Sequence, residues 1–208
     1  MTGLPTDFMV AKQSVSRGTM ARLEALVLML IKWNGAINLI SKSSESGIWS
    51  RHIVDSAQVF EYGIDADTWA DLGSGGGFPG LVIAILAAQI KPSLQVTLVE
   101  SDQRKAAFLR QAVQALSLSA NVIADRIEVI KSLQADVVSA RALAPLSMLC
   151  SFADRHLAPR GKGIFLKGRN ATAEIAAARE DWTFMLDTHQ SLTDPMSAVL
   201  VVSGLSHV

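Results

Sequence analysis

The chain has 208 residues, half of them hydrophobic, and its 19 Lys and Arg balance 19 Asp and Glu. That length suits one α/β domain with an appendage and leaves no room for a second full domain. Cys150 is the only cysteine, which excludes an intramolecular disulfide and points to a reducing compartment. The longest apolar runs, Ala25 to Ile31 and Leu81 to Ala88, are too short to span a bilayer, and no signal-peptide pattern opens the chain. A soluble cytoplasmic protein is expected.

Residues 7 to 17 and 19 to 34 are predicted helical, separated by Gly18, and the second carries Leu23, Leu26, Val27, Leu30 and Ile31 at helical spacing. Trp33 to Ile40 breaks that pattern with Asn and Gly and reads as an ordered loop. A third helix is predicted over about Ser46 to Phe60, where Arg51, His52 and Asp55 share a face and Arg51 with Asp55 has the spacing of a surface ion pair. Residues 1 to 62 thus form an N-terminal helical extension, and residues 63 to 208 form one compact domain.

From Thr68 onward strand and helix alternate, as a mostly parallel sheet with helices on both faces requires. Strands are expected at Thr68 to Leu72, Leu94 to Glu100, Asn121 to Ala124 and Gly163 to Gly168, with a fourth strand and its exit loop over Ala135 to Pro145. Helices are expected over Leu81 to Ile90, Asp102 to Leu116, Met148 to His156 and Ala171 to Glu180. Trp182 to Asp187 and Ala198 to Val202 can supply closing antiparallel strands.

The first strand runs into Asp71-Leu72-Gly73-Ser74-Gly75-Gly76-Gly77-Phe78-Pro79-Gly80. Glycines there allow positive φ and a close approach of ligand to backbone, and the following helix start favours ligand oxygens. Phe78 stands where a dinucleotide fingerprint needs its third glycine, and Asp71 would repel pyrophosphate but attract an ammonium group. Glu100 ends the next strand, the position that holds a ribose diol in nucleotide-binding α/β folds. Together Asp71, Gly73, Gly75 and Glu100 suit S-adenosylmethionine.

The loop after the fourth strand, Ser139 to Pro145, lacks the Asn or Asp with two prolines that commonly meets an amino-group acceptor. Cys150 lies inside an apolar helical run and reads as core rather than as the nucleophile that pyrimidine C5 methylation needs. His52, His156, His189 and His207 share no metal-ligand spacing, so no metal site is expected. A ring nitrogen with a free lone pair, such as guanine N7, suits a site that supplies positioning alone. Charge is unevenly spread: residues 1 to 53 carry a net +3 and residues 154 to 170 a net +4, flanking an acidic middle.

Trp33-Asn34 with Asn38-Leu39, Arg51-His52 with Asp55-Ser56, Asp71 to Gly80, Ser139 to Ala142 and Leu166-Lys167-Gly168 resemble the RsmG family, also called GidB. The resemblance spans nearly the whole chain. It implies a Rossmann-like methyltransferase that uses S-adenosylmethionine to methylate guanine N7 in 16S ribosomal RNA, free or in the small ribosomal subunit. It also implies that Gly73, Phe78, Ile127, Glu128 and Arg141 contact the cofactor, with Arg141 positioning the reactants. Candidate RNA contacts are Arg51, His52, Arg104, Lys105, Arg160, Lys162, Lys167 and Arg169. The family often places basic residues before the last strand, where Met196-Ser197-Ala198 is neutral here. A monomer without membrane association is expected. The alternatives are a small-molecule methyltransferase of the same fold, or a cofactor- or RNA-binding module that transfers nothing.

Overall fold

The computed structural model describes residues 8 to 208. A seven-stranded sheet in the order β5-β4-β3-β6-β7-β9-β8 forms its centre. β3 (Thr68–Leu72), β4 (Gln95–Val99), β5 (Ala120–Ile123), β6 (Ala135–Arg141) and β7 (Leu157–Lys167) run parallel. β8 (Trp182–Gln190) and β9 (Ala198–His207) close the edge as an antiparallel hairpin, with β9 inserted between β7 and β8. The chain leaves β3 in one direction toward β4 and β5, and the later strands build in the other direction from β6. The crevice beyond their carboxyl ends is therefore a topological switch point, where open α/β sheets bind ligands.

Side-chain alternation sends neighbouring residues to opposite faces. Trp69, Val137, Ile164 and Val199 join a buried cluster with α1 (Arg17–Asn34), α2 (Asp55–Glu61), α3 (Gly80–Ile90) and α4 (Gln103–Ala115). Their neighbours Ala70, Val138, Phe165 and Leu200 join the other cluster, under α5 (Leu146–His156) and α6 (Ala171–Asp181). Helices thus cover both faces, as expected. Cys150 is fully buried in the second cluster, and burial pushes its thiol up to about 11.

The amino-terminal segment departs from expectation. In place of a helix over residues 7 to 17 the chain forms a small hairpin, β1 (Met9–Val10) and β2 (Gln13–Ser14), while Asp7 lies outside the described residues. Ala11 and Lys12 both take positive φ, at 49° and 62°, which ends any helix there and makes the tight turn. Ser16 then caps α1 by accepting from Thr19 N. The helix expected over Ser46 to Phe60 is broken into a 3-10 segment, Lys42–Gly47, a π-helical turn, Trp49–Val54, and α2. The loop between Trp33 and Ile40 is ordered by Asn34, whose Oδ1 accepts from Leu39 N and Ile40 N while its Nδ2 donates to Glu45.

Candidate active site

The glycine turn is shaped from below. Asp71 is fully buried at the end of β3; its Oδ1 accepts from Ser139 Oγ at 2.7 Å and its Oδ2 from Gly80 N at 3.1 Å. A Cβ on Gly80 would stand 2.7 Å from that Oδ2, so only glycine admits the carboxylate to the start of α3. Burial raises the Asp71 pKa to about 6, against the hydrogen bonds from Ser139, Ser74 and Gly80 and the nearby Arg141 charge. Above the turn, Gly73, Gly75 and Gly77 all take positive φ. Ser74 N donates to the Val99 carbonyl, which stitches the turn to the next strand.

A cavity of about 590 Å³ opens beside this turn. Gly73 and Gly75 form one wall, and Glu100 and Ser101 follow β4. Asp125 to Glu128 follow β5, while Ala142, Leu143 and Ala144 follow β6 and Met148 and Phe152 reach in from α5. Glu100 Oε2 accepts from Gly75 N and Oε1 from Asp102 N, both at 2.8 Å, which fixes the carboxylate at the cavity edge. A Cβ on Gly75 would meet nothing closer than 3.8 Å, so the space beside it is open. His156 Nε2, fully buried, donates to the Ile127 carbonyl at 3.0 Å and holds the apolar wall. A nucleoside fits this end: a carboxylate for hydroxyls, apolar walls for a base and acidic residues at the rim. Over Gly73 the space is taken by Leu143, whose Cδ1 would lie 2.5 Å from an added Cβ. Leu143 follows Ala142, which is held at a φ of 53°.

Arg141, the last residue of β6, points away from this cavity. Its Nη1 donates to the Arg51 carbonyl at 2.6 Å and faces Asp55 Oδ2 at 3.4 Å, and its guanidinium lies over the Phe78 ring, 5.1 Å from the centroid. Its Nη2 bonds His52 Nδ1. A guanidinium can only donate, so Nδ1 is the bare nitrogen and His52 carries its proton on Nε2. Burial, with Arg141 and Arg51 adding repulsion, lowers the His52 pKa to about 3. The ring stacks on Phe78 with centroids 4.9 Å apart, and its buried Nε2 has no protein partner among the described residues.

The family model described as GidB, rRNA small subunit methyltransferase G, matches residues 19–197. The chain belongs to the GidB family. It is 50% identical over 198 residues to the ribosomal RNA small subunit methyltransferase G of Cereibacter sphaeroides strain ATCC 17025, covering 94% of each chain. The Paracoccus denitrificans protein of the same name is 50% identical over 196 residues, which is 93% of this chain and 99% of that one. Among solved structures, the O-methyltransferase from Bacillus cereus in complex with SAH superposes with a TM-score of 0.54 at 13% identity, covering 86% of this chain and 90% of that one. At that identity the likeness establishes the fold.

Within the GidB fold, Gly73, Gly75, Glu100, Ile127 and Glu128 are brought together on the cavity wall. Asp71, Phe78 and Arg141 are not: Asp71 is sealed beneath the turn, while Phe78 and Arg141 pack with His52 beside it. The ammonium contact expected of Asp71 is thereby corrected, because the carboxylate is fully buried beneath the turn against Ser139 and Gly80 and is not part of the cavity wall. The expected Arg51–Asp55 pair is corrected too, since Asp55 faces Arg141 instead.

The basic candidates separate. Lys167 is buried and bonds Glu174 at 2.5 Å and the Ala144 carbonyl at 2.7 Å, so it braces the loop after β6 and is closed to RNA. Arg104 is exposed and pairs with its own helix cap Asp102, and Lys105 lines the cavity. Arg51 is exposed, whereas His52 is buried. Arg169 is exposed just past the carboxyl end of β7. Arg160 lies in the amino-terminal half of β7 and Lys162 at its middle, opposite Val137 and about 17 Å down the strand from Lys167. Sequence reasoning placed Ser139 and Leu143 in the acceptor loop but missed that Ser139 bonds Asp71 and that Leu143 covers Gly73, and it missed Lys105 as a cavity residue and His156. Only Ser139, a hydroxyl in the middle of an apolar strand, carried a local signal.

Proposed function

We propose that this protein transfers a methyl group from S-adenosylmethionine to N7 of a guanine in 16S ribosomal RNA. The observation that carries this reading is the cavity joining the Gly73 and Gly75 turn to Glu100 in a chain of the GidB family. Bound there, S-adenosylmethionine supplies an electrophilic methyl group. Glu100 accepts hydrogen bonds from ribose hydroxyls through lone pairs that Gly75 N and Asp102 N leave free. Ile127 and Phe152 would cover the base, and Leu143, which fills the space over Gly73, would have to shift to admit the amino-acid arm.

Guanine N7 has no proton to lose, so the protein's task is to hold the base in line with the donor, and no general base is needed. That agrees with a site flanked by His52 and His156, both of whose pKa values burial lowers, and with a cysteine sealed in the core. Arg51 and Arg169 are exposed at the carboxyl end of the sheet and serve as RNA phosphate contacts. The reading includes a cytoplasmic monomer in which residues 1 to 62 extend a domain of residues 63 to 208. The single buried thiol supports a reducing compartment, and no described helix is long and apolar enough to cross a membrane.

The test is to map N7-methylguanine in small-subunit RNA from a deletion strain, with and without the purified protein and S-adenosylmethionine. One new N7-methylguanine that depends on the protein is expected. Methylation at another atom, or none in either naked RNA or assembled subunits, would overturn the reading.

A further inference from the structure

Asp55 joins three parts of the molecule that the backbone keeps apart. Its Oδ1 accepts from Gln58 Nε2 at 2.8 Å, from Thr193 Oγ1 at 2.9 Å and from Ser191 Oγ at 3.2 Å. Its Oδ2 faces Arg141 Nη1 at 3.4 Å, and the two side chains are only 15% and 17% exposed. One carboxylate therefore ties the tip between β8 and β9 to the arginine that ends β6.

The tip does not need this link to close. Asp194 already shapes it by accepting from Met196 N and Ser197 Oγ, both at 2.9 Å. Ser191 N also donates to the Ser197 carbonyl across the tip. The hydroxyls of Ser191 and Thr193 on Asp55 come in addition to that internal closure. At the other end, Arg141 is followed directly by Ala142, Leu143 and Ala144, which line the cavity, and Leu143 covers Gly73. Whatever fixes Arg141 thus fixes the root of the loop beside the glycine turn. Asp55 is its ion-pair partner among the described residues. In so shielded a place the loss of that charge leaves the guanidinium without its direct ion-pair partner, held only by the Arg51 carbonyl, His52 and the more distant charge of Asp71.

We propose that Asp55 is a positioning residue for methyl transfer: it holds Arg141 beside the glycine turn, and Ser191 and Thr193 of the β8–β9 tip act on Arg141 through it. The inference rests on the methyltransferase reading above.

The test is methylation of small-subunit RNA, with kcat and KM for RNA, affinity for S-adenosylhomocysteine and Tm recorded for each variant. Asp55→Asn keeps an acceptor oxygen for the tip but removes the charge facing Arg141, and kcat is expected to fall about tenfold or more with KM for RNA within about twofold. The double variant Ser191→Ala with Thr193→Val leaves Asp55 and Arg141 in place. It is expected to lower kcat by about three- to tenfold with Tm nearly unchanged. The triple variant is expected to be no slower than Asp55→Asn, because effects acting through one residue do not add.

Multiplying effects would overturn the proposal, as would a double variant with the wild-type kcat. Loss of Tm in step with kcat across the variants would make Asp55 structural only, which also overturns it. If Asp55→Asn does not fold, the double variant decides alone. A wild-type protein that methylates no RNA would instead sink the underlying reading, and this proposal with it.

Discussion

Ser139 Oγ donates to Asp71 Oδ1 across 2.7 Å, and both side chains are sealed from solvent. The same hydroxyl accepts from Trp69 Nε1 at 2.9 Å, so one serine satisfies a buried indole and half of a buried carboxylate. Ser139→Ala strands both groups. A destabilisation of about 1 to 3 kcal/mol is expected from leaving buried partners unpaired. Urea unfolding at neutral pH measures it, and a variant as stable as the wild type would show that water replaces the hydroxyl.

His52 and Asp71 give stability opposite pH dependences. The folded His52 value, about 3, lies below the ordinary 6.5, so the unfolded chain binds more protons between them. Its contribution is complete above about pH 6.5 and is lost as pH falls toward 3. The folded Asp71 value, about 6, lies above the ordinary 3.8, so its contribution is present below 3.8 and lost as pH rises through 6. His52→Gln is therefore expected to flatten the acid-side loss by at most about 1.4 kcal/mol per pH unit. Asp71→Asn is expected to gain on the wild type as pH rises from 4 to 7. Unfolding free energies at several pH values check both signs.

Two substitutions on the cavity wall separate the nucleoside end from the amino-acid end. Glu100→Ala is expected to weaken adenosine and S-adenosylhomocysteine alike, by about tenfold, because charge-assisted hydrogen bonds disappear. Leu143→Ala removes the side chain that fills the space over Gly73. It is expected to tighten S-adenosylhomocysteine by roughly threefold and leave adenosine unchanged, because a closed form no longer competes. Calorimetry with both ligands reads the pattern. Equal effects on the two ligands in Leu143→Ala would contradict the closed position of that side chain.

RNA affinity is expected to depend on the carboxyl end of the sheet and not on the whole basic run. Replacing Arg51 and Arg169 by Gln should flatten the logarithmic salt dependence by about 0.7 to 0.9 for each phosphate that the protein ceases to neutralise. The pair Arg160→Gln with Lys162→Gln, in the first half and at the middle of β7, should leave the slope unchanged. Filter binding of small-subunit RNA at several salt concentrations compares them, and a slope altered only in the second pair would move the RNA to the opposite end.

The period-2 strands and the glycine turn were legible because their signals are local. Thr68 to Leu72 and Ala135 to Arg141 alternate between two cores, and the turn needs its positive-φ residues in one run. What sequence reasoning missed is set by long-range contacts. The hairpin at Met9 to Ser14 is held by Glu61 and Gln89, which accept from Ala11 N and Ser16 N, so its local apolar pattern reads as a helix. Arg51 and Asp55 have ideal spacing for a pair, but a π-helical turn intervenes and Arg141, 86 residues beyond Asp55, takes the carboxylate. Asp71 looked free at a strand end, and only the return of β6 brings Ser139 against it.

The insertion of β9 between β7 and β8 gives the molecule an order of completion. During synthesis, every residue lining the cavity has emerged by Phe152, long before β9 exists. β8 pairs only with β9 among the described strands, so it waits at the edge without a neighbour until the last strand slides in. Only then are Ser191 and Thr193 carried onto Asp55. The lining of the ligand pocket and the hold of the β8–β9 tip on Asp55 thus mature at different times.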